Sequence, residues 1–200
     1  SLMKNEIVAH NDLKIRIEED FFNSVDSNKL LKKFISKLPW ESMIIKMFGK
    51  DTKIPRLQCW IGDEGCEYRY SGKQLNRQIW SQDLIMIRKK IYEELKIDFN
   101  SVLANYYRDG KDSMGWHSDD EKELGPNPTI ASISFGSERD LVFRNKISKK
   151  TLAIPQTNGC LILIDGETQK NWQHSIKKTQ KVIGPRINLT FRNIINKNNF

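Results

Sequence analysis

The chain has 200 residues, 38% of them hydrophobic, with a formal net charge of +8 and a sequence isoelectric point near 9.3. That apolar fraction supports a real core and excludes wholesale disorder, while no apolar run approaches the length of a membrane span. The basic balance reads either as a lysine-rich solvated surface or as a footprint for a polyanion such as nucleic acid, and charge alone does not choose between them.

Residues 1–26 are polar and mixed, and read as a segment that wraps the surface. Residues 28–38 read as a helix, with Leu30, Leu31, Phe34, Ile35 and Leu38 on one stripe and Pro39 as the stop. Residues 42–48 read as a strand, closed by a turn at Gly49. Two short strands, 58–61 and 67–70, flank a turn marked by Gly62 and Gly65. Ser81 caps a second helix carrying Leu84, Ile87, Ile91 and Leu95 at helical spacing.

Beyond that helix the period changes to two. Strands are expected at 102–107, 129–135, 141–144, 152–154, 160–164, 172–176 and 186–194. Many short strands separated by Gly, Pro and Asn point to a sandwich or barrel. The expected fold is mainly β with flanking helices, a jelly roll in one domain: residues 1–95 form an N-terminal extension and 96–200 the core. Cys59, Cys66 and Cys160 form no CxxC pair, and an odd, sparse set argues against a disulfide scaffold and for a reducing interior. No secretory signal is visible, so an intracellular setting is expected, cytoplasmic in a bacterium or nuclear in a eukaryote.

Three side chains stand out. His117 and Asp119 are two apart, so an extended chain points both to one face. His174 lies on another expected strand, and His10 lies in the polar N-terminal segment. Two histidines and a carboxylate can hold one face of a ferrous ion and leave the opposite positions open. A structural zinc would want a fourth protein ligand. A catalytic zinc hydrolase satisfies the triad but leaves the arginines of the last strand unexplained.

Those arginines are Arg186 and Arg192, which share a strand face with Asn188 and Thr190, opposite Ile187, Leu189 and Phe191. Buried without anions they would be costly. At about 3.3 Å per residue their Cα atoms lie roughly 20 Å apart, and inward-reaching side chains would leave a gap suited to a short dicarboxylate. The competing reading is an edge strand with both arginines in solvent.

From residue 42 to 195 these motifs together resemble the AlkB family of iron- and 2-oxoglutarate-dependent nucleic-acid dealkylases, in particular its DNA-repair branch with a base-flipping finger. The resemblance rests on Asn105-Tyr106-Tyr107-Arg108-Asp109-Gly110, His117-Ser118-Asp119-Asp120-Glu121, the strands around Ser132 and Val142, and above all Pro185 through Arg192. It implies a double-stranded β-helix core with a substrate-recognition extension. It implies Fe(II) held by His117, Asp119 and His174, with O2 as co-reactant. The 2-oxoglutarate contacts it implies are Asn105, Tyr107, Arg186, Thr190 and Arg192.

On the substrate side the resemblance implies a covering segment at Pro55-Arg56 and Gly62 through Gly72 with Tyr68 and Tyr70 as its aromatic positions, Asp120 as a substrate-contacting acid, and a finger at Phe48, Gly49 and Lys50 that wedges into a duplex. Read without it, Tyr68 and Tyr70 are a half-exposed strand face and Phe48 is a buried residue before a glycine turn. Tyr106 and Gln173 depart from the family pattern: relatives often carry Arg at the first position and some carry Tyr at the second. The implied activity is oxidative removal of N-alkyl groups from nucleobases such as 1-methyladenine and 3-methylcytosine, releasing formaldehyde, succinate and CO2. The implied partner is alkylated DNA, met by a monomer and no membrane. The alternatives are the same chemistry on RNA or a protein side chain, or a binding module without catalysis.

Overall fold

A computed structural model describes residues 5–10 and 12–195. Its first elements correct the reading of residues 1–26 as a surface wrap. Strands β1 (Asn5–His10) and β2 (Leu13–Glu18) form a hairpin. Leu13, Ile15 and Ile17 are buried while Lys14 is exposed and Arg16 half-buried. That alternation is a strand signal in its own right.

Helix α1 (Ser24–Lys37) begins four residues before the expected start, because Asn23 caps it: its side chain accepts the Asp26 N–H at 2.8 Å. Leu38, forced toward extended backbone by Pro39, ends it. Strands β3 (Ile44–Met47) and β4 (Lys50–Lys53) form a hairpin around Phe48 and Gly49, both at positive φ, the turn geometry that matches strand twist. There follow β5 (Leu57–Gly62), the two-residue strands β6 (Arg69–Tyr70), β7 (Lys73–Gln74) and β8 (Arg77–Gln78), and helix α2 (Gln82–Leu95). Ser81 caps α2 through Leu84 N–H at 3.3 Å, as its sequence suggests.

The remainder is strand-rich. It comprises β9 (Ser101–Tyr107), β10 (Met114–His117), β11 (Ile130–Gly136), β12 (Arg139–Asn145), β13 (Thr151–Gln156), β14 (Leu161–Asp165), the single turn α3 (Thr168–Asn171), β15 (Trp172–Ile176) and β16 (Arg186–Arg192). The large sheet runs β1-β2-β14-β11-β16-β9-β5-β8 and the small one β10-β15-β12-β13. Between them lies a core that includes Ile15, Ile162 and Ile164 from one sheet and Leu141, Phe143 and Ile176 from the other. On the far face of the large sheet, Leu30 and Phe34 of α1 and Leu84, Ile87 and Ile91 of α2 pack against Ile133, Phe135, Ile187, Leu189 and Phe191. The expected jelly roll with helices outside it is therefore the observed architecture.

A third cluster, with Met43, Ile54, Trp60, Tyr68, Tyr70 and Leu103, seats the segment between β3 and β8 over one end of the sandwich. All three cysteines are buried and free. No helix among the described residues is long and apolar enough to cross a membrane.

Candidate metal centre and cosubstrate cavity

Strand β10 ends at His117, directly opposite His174 on β15. The chain then turns inward to Asp119. Two bonds hold that turn: Ser118 Oγ donates to the Trp172 carbonyl at 2.7 Å, and Asp119 N–H donates to Gln169 Oε1 at 2.8 Å. One ligand atom from each of His117, Asp119 and His174 lies within 4.8 Å of the others. Asp119 and His174 are buried, and the His117 side chain keeps 21% exposure, so the cluster meets the outside through His117.

The cluster is tuned for a cation. Burial pushes the His174 imidazole down to about 3, with His117 adding to the effect, so it stays neutral with a lone pair to give. Burial alone would raise the Asp119 carboxyl, but Arg192, His117 and His174 outweigh it and hold that group well below the usual carboxylate range. Arg192 donates from Nη2 to Asp119 Oδ1 at 2.9 Å in a buried pair.

Strand β16 lies between β11 and β9, which overturns the edge-strand reading. Arg186, Asn188, Thr190 and Arg192 all line one cavity with the metal cluster, as do Asn105 and Tyr107. Arg186 is 1% exposed, donates from Nη2 to Ser134 Oγ at 2.9 Å and also interacts with the Tyr107 side chain. Its Nε and Nη1 have no partner, and neither do Nε and Nη1 of Arg192. Four buried guanidinium donors without acceptors are costly unless an anion completes them. Asn105 Oδ1 accepts from Arg56 Nε and Gln58 Nε2 at 2.9 and 2.8 Å. Thr190 Oγ1 donates to Asn188 Oδ1, whose amide nitrogen donates to Ser132 Oγ, both at 2.7 Å.

Residues 14–192 match the 2OG-Fe(II) oxygenase superfamily. The chain belongs to that superfamily. Among relatives, human DNA oxidative demethylase ALKBH2 is 40% identical over 159 residues, 76% of this chain and 61% of that protein. The Arabidopsis thaliana DNA oxidative demethylase ALKBH2 is 36% identical over 79% of this chain and 59% of its own. Mouse alpha-ketoglutarate-dependent dioxygenase alkB homolog 3 is 34% identical over 87% and 64%. The chain thus spans about three-fifths of these relatives' length. The solved structure of OsALKBH1 superposes with a TM-score of 0.66 at 13% identity, covering 92% of this chain and 99% of that one, which supports the fold. The AlkB resemblance read from the motifs agrees with all of these.

The oxygenase's metal, Fe(II), and its cosubstrate, 2-oxoglutarate, fit the residues present. Two histidines and a carboxylate are the donor set of non-haem Fe(II) oxygenases. The orphan donors of Arg186 and Arg192 ask for a small organic anion in the same cavity.

On the substrate side the residues divide. Phe48 is 99% exposed at the hairpin tip, beside Gly49 and exposed Lys50, so the buried-phenylalanine reading fails. Tyr68 and Tyr70 are both buried, which replaces the half-exposed strand face. Tyr70 meets His117 edge-on at 6.0 Å and accepts from Arg56 Nη2 at 2.9 Å. Tyr68 lies 5.6 Å from the Arg192 guanidinium. Arg56 is itself buried, with its nitrogens directed at Asn105, Tyr70 and the Ser113 carbonyl. Asp120 is exposed and lines an open groove of about 510 Å³ with Arg69 and Ser71. Tyr70 and His117 line both groove and cavity, and so form the doorway between them.

Sequence reasoning missed Gln169, Ser132 and Ser134. The two serines had a signal, since they alternate with Ala131, Ile133 and Phe135 on a strand. Gln169 sits in a single helical turn that carries no periodicity. Tyr106 and Gln173, the departures from the family pattern, bear on other partners. Tyr106 packs on Trp40 on the helix side, and Gln173 accepts from Arg144 at 3.2 Å.

Proposed function

We propose that this oxygenase removes N-alkyl groups oxidatively from damaged DNA bases, with 1-methyladenine and 3-methylcytosine as substrates and formaldehyde, succinate and CO2 as the other products. The observation that carries this reading is Phe48. An aromatic residue held at φ +52° and 99% exposed gains nothing from packing and occupies an unfavourable backbone region. It makes sense as a wedge that fills the gap left by an extracted base. The hairpin around it carries Lys46, Lys50 and Lys53 for phosphate contact. A protein side chain as substrate would leave this hairpin without a role. The names of the similar proteins, DNA oxidative demethylases among them, support the same reading.

In this scheme His117, Asp119 and His174 hold the iron, which with 2-oxoglutarate and O2 supplies the oxidising power that hydroxylates the N-alkyl carbon. The hydroxylated methyl group then leaves the base nitrogen as formaldehyde. Arg186 and Arg192 neutralise the cosubstrate carboxylates, while Asn105, Tyr107 and Thr190 orient it through directional hydrogen bonds. Tyr70 stacks on the extracted base at the doorway, with Tyr68 behind it, Arg56 fixing its hydroxyl and Asp120 at the groove rim. Residues 96–200 serve as the catalytic core, and residues 1–95 as the recognition extension, which also lends β1, β2, β5 and β8 to the large sheet. The protein acts as an intracellular monomer.

The test is formaldehyde release from methylated oligonucleotides, DNA and RNA, single- and double-stranded, with iron and 2-oxoglutarate. DNA should be turned over, and Asp119→Ala should abolish release. Turnover of none of the four substrates, or release that survives in Asp119→Ala, would sink the reading.

A further inference from the structure

We propose that Arg139 is a positioning residue for the cosubstrate, acting through Tyr107 and Arg186. This rests on the reading of the Arg186 end of the cavity as the carboxylate site.

Arg139 opens β12 and is 5% exposed, but it does not line the cavity. Its guanidinium donates only to backbone carbonyls. Two belong to the β9–β10 loop, Asp109 at 3.3 Å and Asp112 at 2.9 Å, and one is Lys177, just after β15, at 2.6 Å. A planar fork of donors suits this task, and a lysine ammonium would not reach all three in one geometry. The two segments it joins are pressed together. Thr179 N–H donates to the Gly110 carbonyl at 2.8 Å, and a Cβ on Gly110 would come within 2.5 Å of the Thr179 carbonyl oxygen. Arg139 ties the same seam from inside.

The seam matters because of what it backs. Tyr107 ends β9, pairs in register with Arg186, and is 1% exposed. The Arg186 guanidinium lies 5.0 Å from its ring centre and that of Arg139 lies 5.7 Å from it. Two guanidinium groups therefore share one phenol. In addition, the Arg139 backbone carbonyl accepts from Gln156 Nε2 at 3.3 Å, and Gln156 lines the cavity. Carbonyl oxygens satisfy the Arg139 donors without neutralising its charge. Arg186 likewise has a hydroxyl for a partner rather than a carboxylate. This end of the cavity thus carries two buried guanidinium groups that bond to neutral acceptors; the Asp112 and Asp109 carboxylates act on Arg139 from the loop side, and Asp112 is itself paired with Arg108. Arg139 adds positive potential where a carboxylate would sit and fixes the ring against which Arg186 lies.

The experiment is calorimetric titration of 2-oxoglutarate into the Mn(II)-loaded protein, which binds without turnover, with Mn(II) affinity and thermal midpoint measured alongside. Arg139→Met should weaken 2-oxoglutarate binding by about tenfold or more, the scale of lost positioning contacts, and leave Mn(II) affinity close to wild type. Arg139→Lys keeps the charge and should fall between. A role confined to stability would lower the midpoint and leave the 2-oxoglutarate affinity of the folded protein unchanged, and that result would overturn the proposal. If Arg139→Met does not fold, Arg139→Lys and Arg139→Gln decide: wild-type affinity in both overturns it. A wild-type protein that takes up Mn(II) but not 2-oxoglutarate would instead overturn the reading of the site itself.

Discussion

Arg186→Met should separate stability from cosubstrate binding. Arg186 is buried with two donors lacking partners, each costing roughly 1–3 kcal/mol. Against that, the substitution loses one hydrogen bond to Ser134, worth about 1 kcal/mol. It also loses the contact with the Tyr107 ring, worth about 0.5–2 kcal/mol. Methionine fills most of the same space with an apolar stem. Without 2-oxoglutarate the variant should therefore lie between about 1 kcal/mol below wild-type stability and about 4.5 kcal/mol above it. A kilocalorie moves the midpoint of a chain this size by about 2–4 °C. In wild type, 2-oxoglutarate at about a hundred times its Kd should add roughly 2.7 kcal/mol; the variant should gain nothing. Differential scanning fluorimetry of Mn(II)-loaded protein, with and without 2-oxoglutarate, reads both effects. A variant more than about 2 kcal/mol less stable than wild type, or one that keeps the 2-oxoglutarate shift, would refute the reasoning.

Arg192→Met should have the opposite sign without metal, because it strands the buried Asp119 carboxylate. A loss of about 3–5 kcal/mol is expected, largely restored by Mn(II), and urea melts with and without the ion check it. The His174 imidazole, pushed from 6.5 to about 3 by burial, makes the metal-free fold pH-dependent. Its stability should be complete above pH 6.5 and fall as the pH drops toward 3, because the unfolded chain takes up a proton that the folded one refuses. The loss is at most roughly 5 kcal/mol, and a His174→Gln variant with the same pH profile in chelator would count against it. Phe48→Ala should leave stability within about 0.5 kcal/mol, since the ring is exposed, yet cut turnover on duplexes more than on single strands. Equal losses on both would argue against a wedge.

Much of this architecture was legible because its signals are local. The period-two stretches from β9 to β16, β10 apart, match their expected positions within a residue or two, since strands that bury at least one face in a core leave an apolar residue at every second position. The triad and the arginine face were legible by the same rule, because a spacing of two places residues on one side of a strand. Of what escaped, β2 carried a legible alternation inside a polar segment that reads as a surface wrap, and the rest was short or interrupted. Strand β10 has four residues with a register shift between Met114 and His117, and α3 is one turn. The start of α1 was missed because Asn23 acts through a side-chain bond rather than a pattern. The partnership of Arg192 with Asp119 joins residues 73 apart in sequence, and no periodicity encodes it.

The strand that follows residue 12 has a practical bearing. It zips onto β14 from Leu161 to Asp165 and shields that strand's backbone amides and carbonyls. Anyone trimming the polypeptide to begin near α1, as the position of the recognisable motifs invites, would bare a long apolar rim carrying Ile162 and Ile164. Such a rim recruits neighbouring molecules edge to edge, so a shortened form would be expected to clump even with every reacting side chain in place.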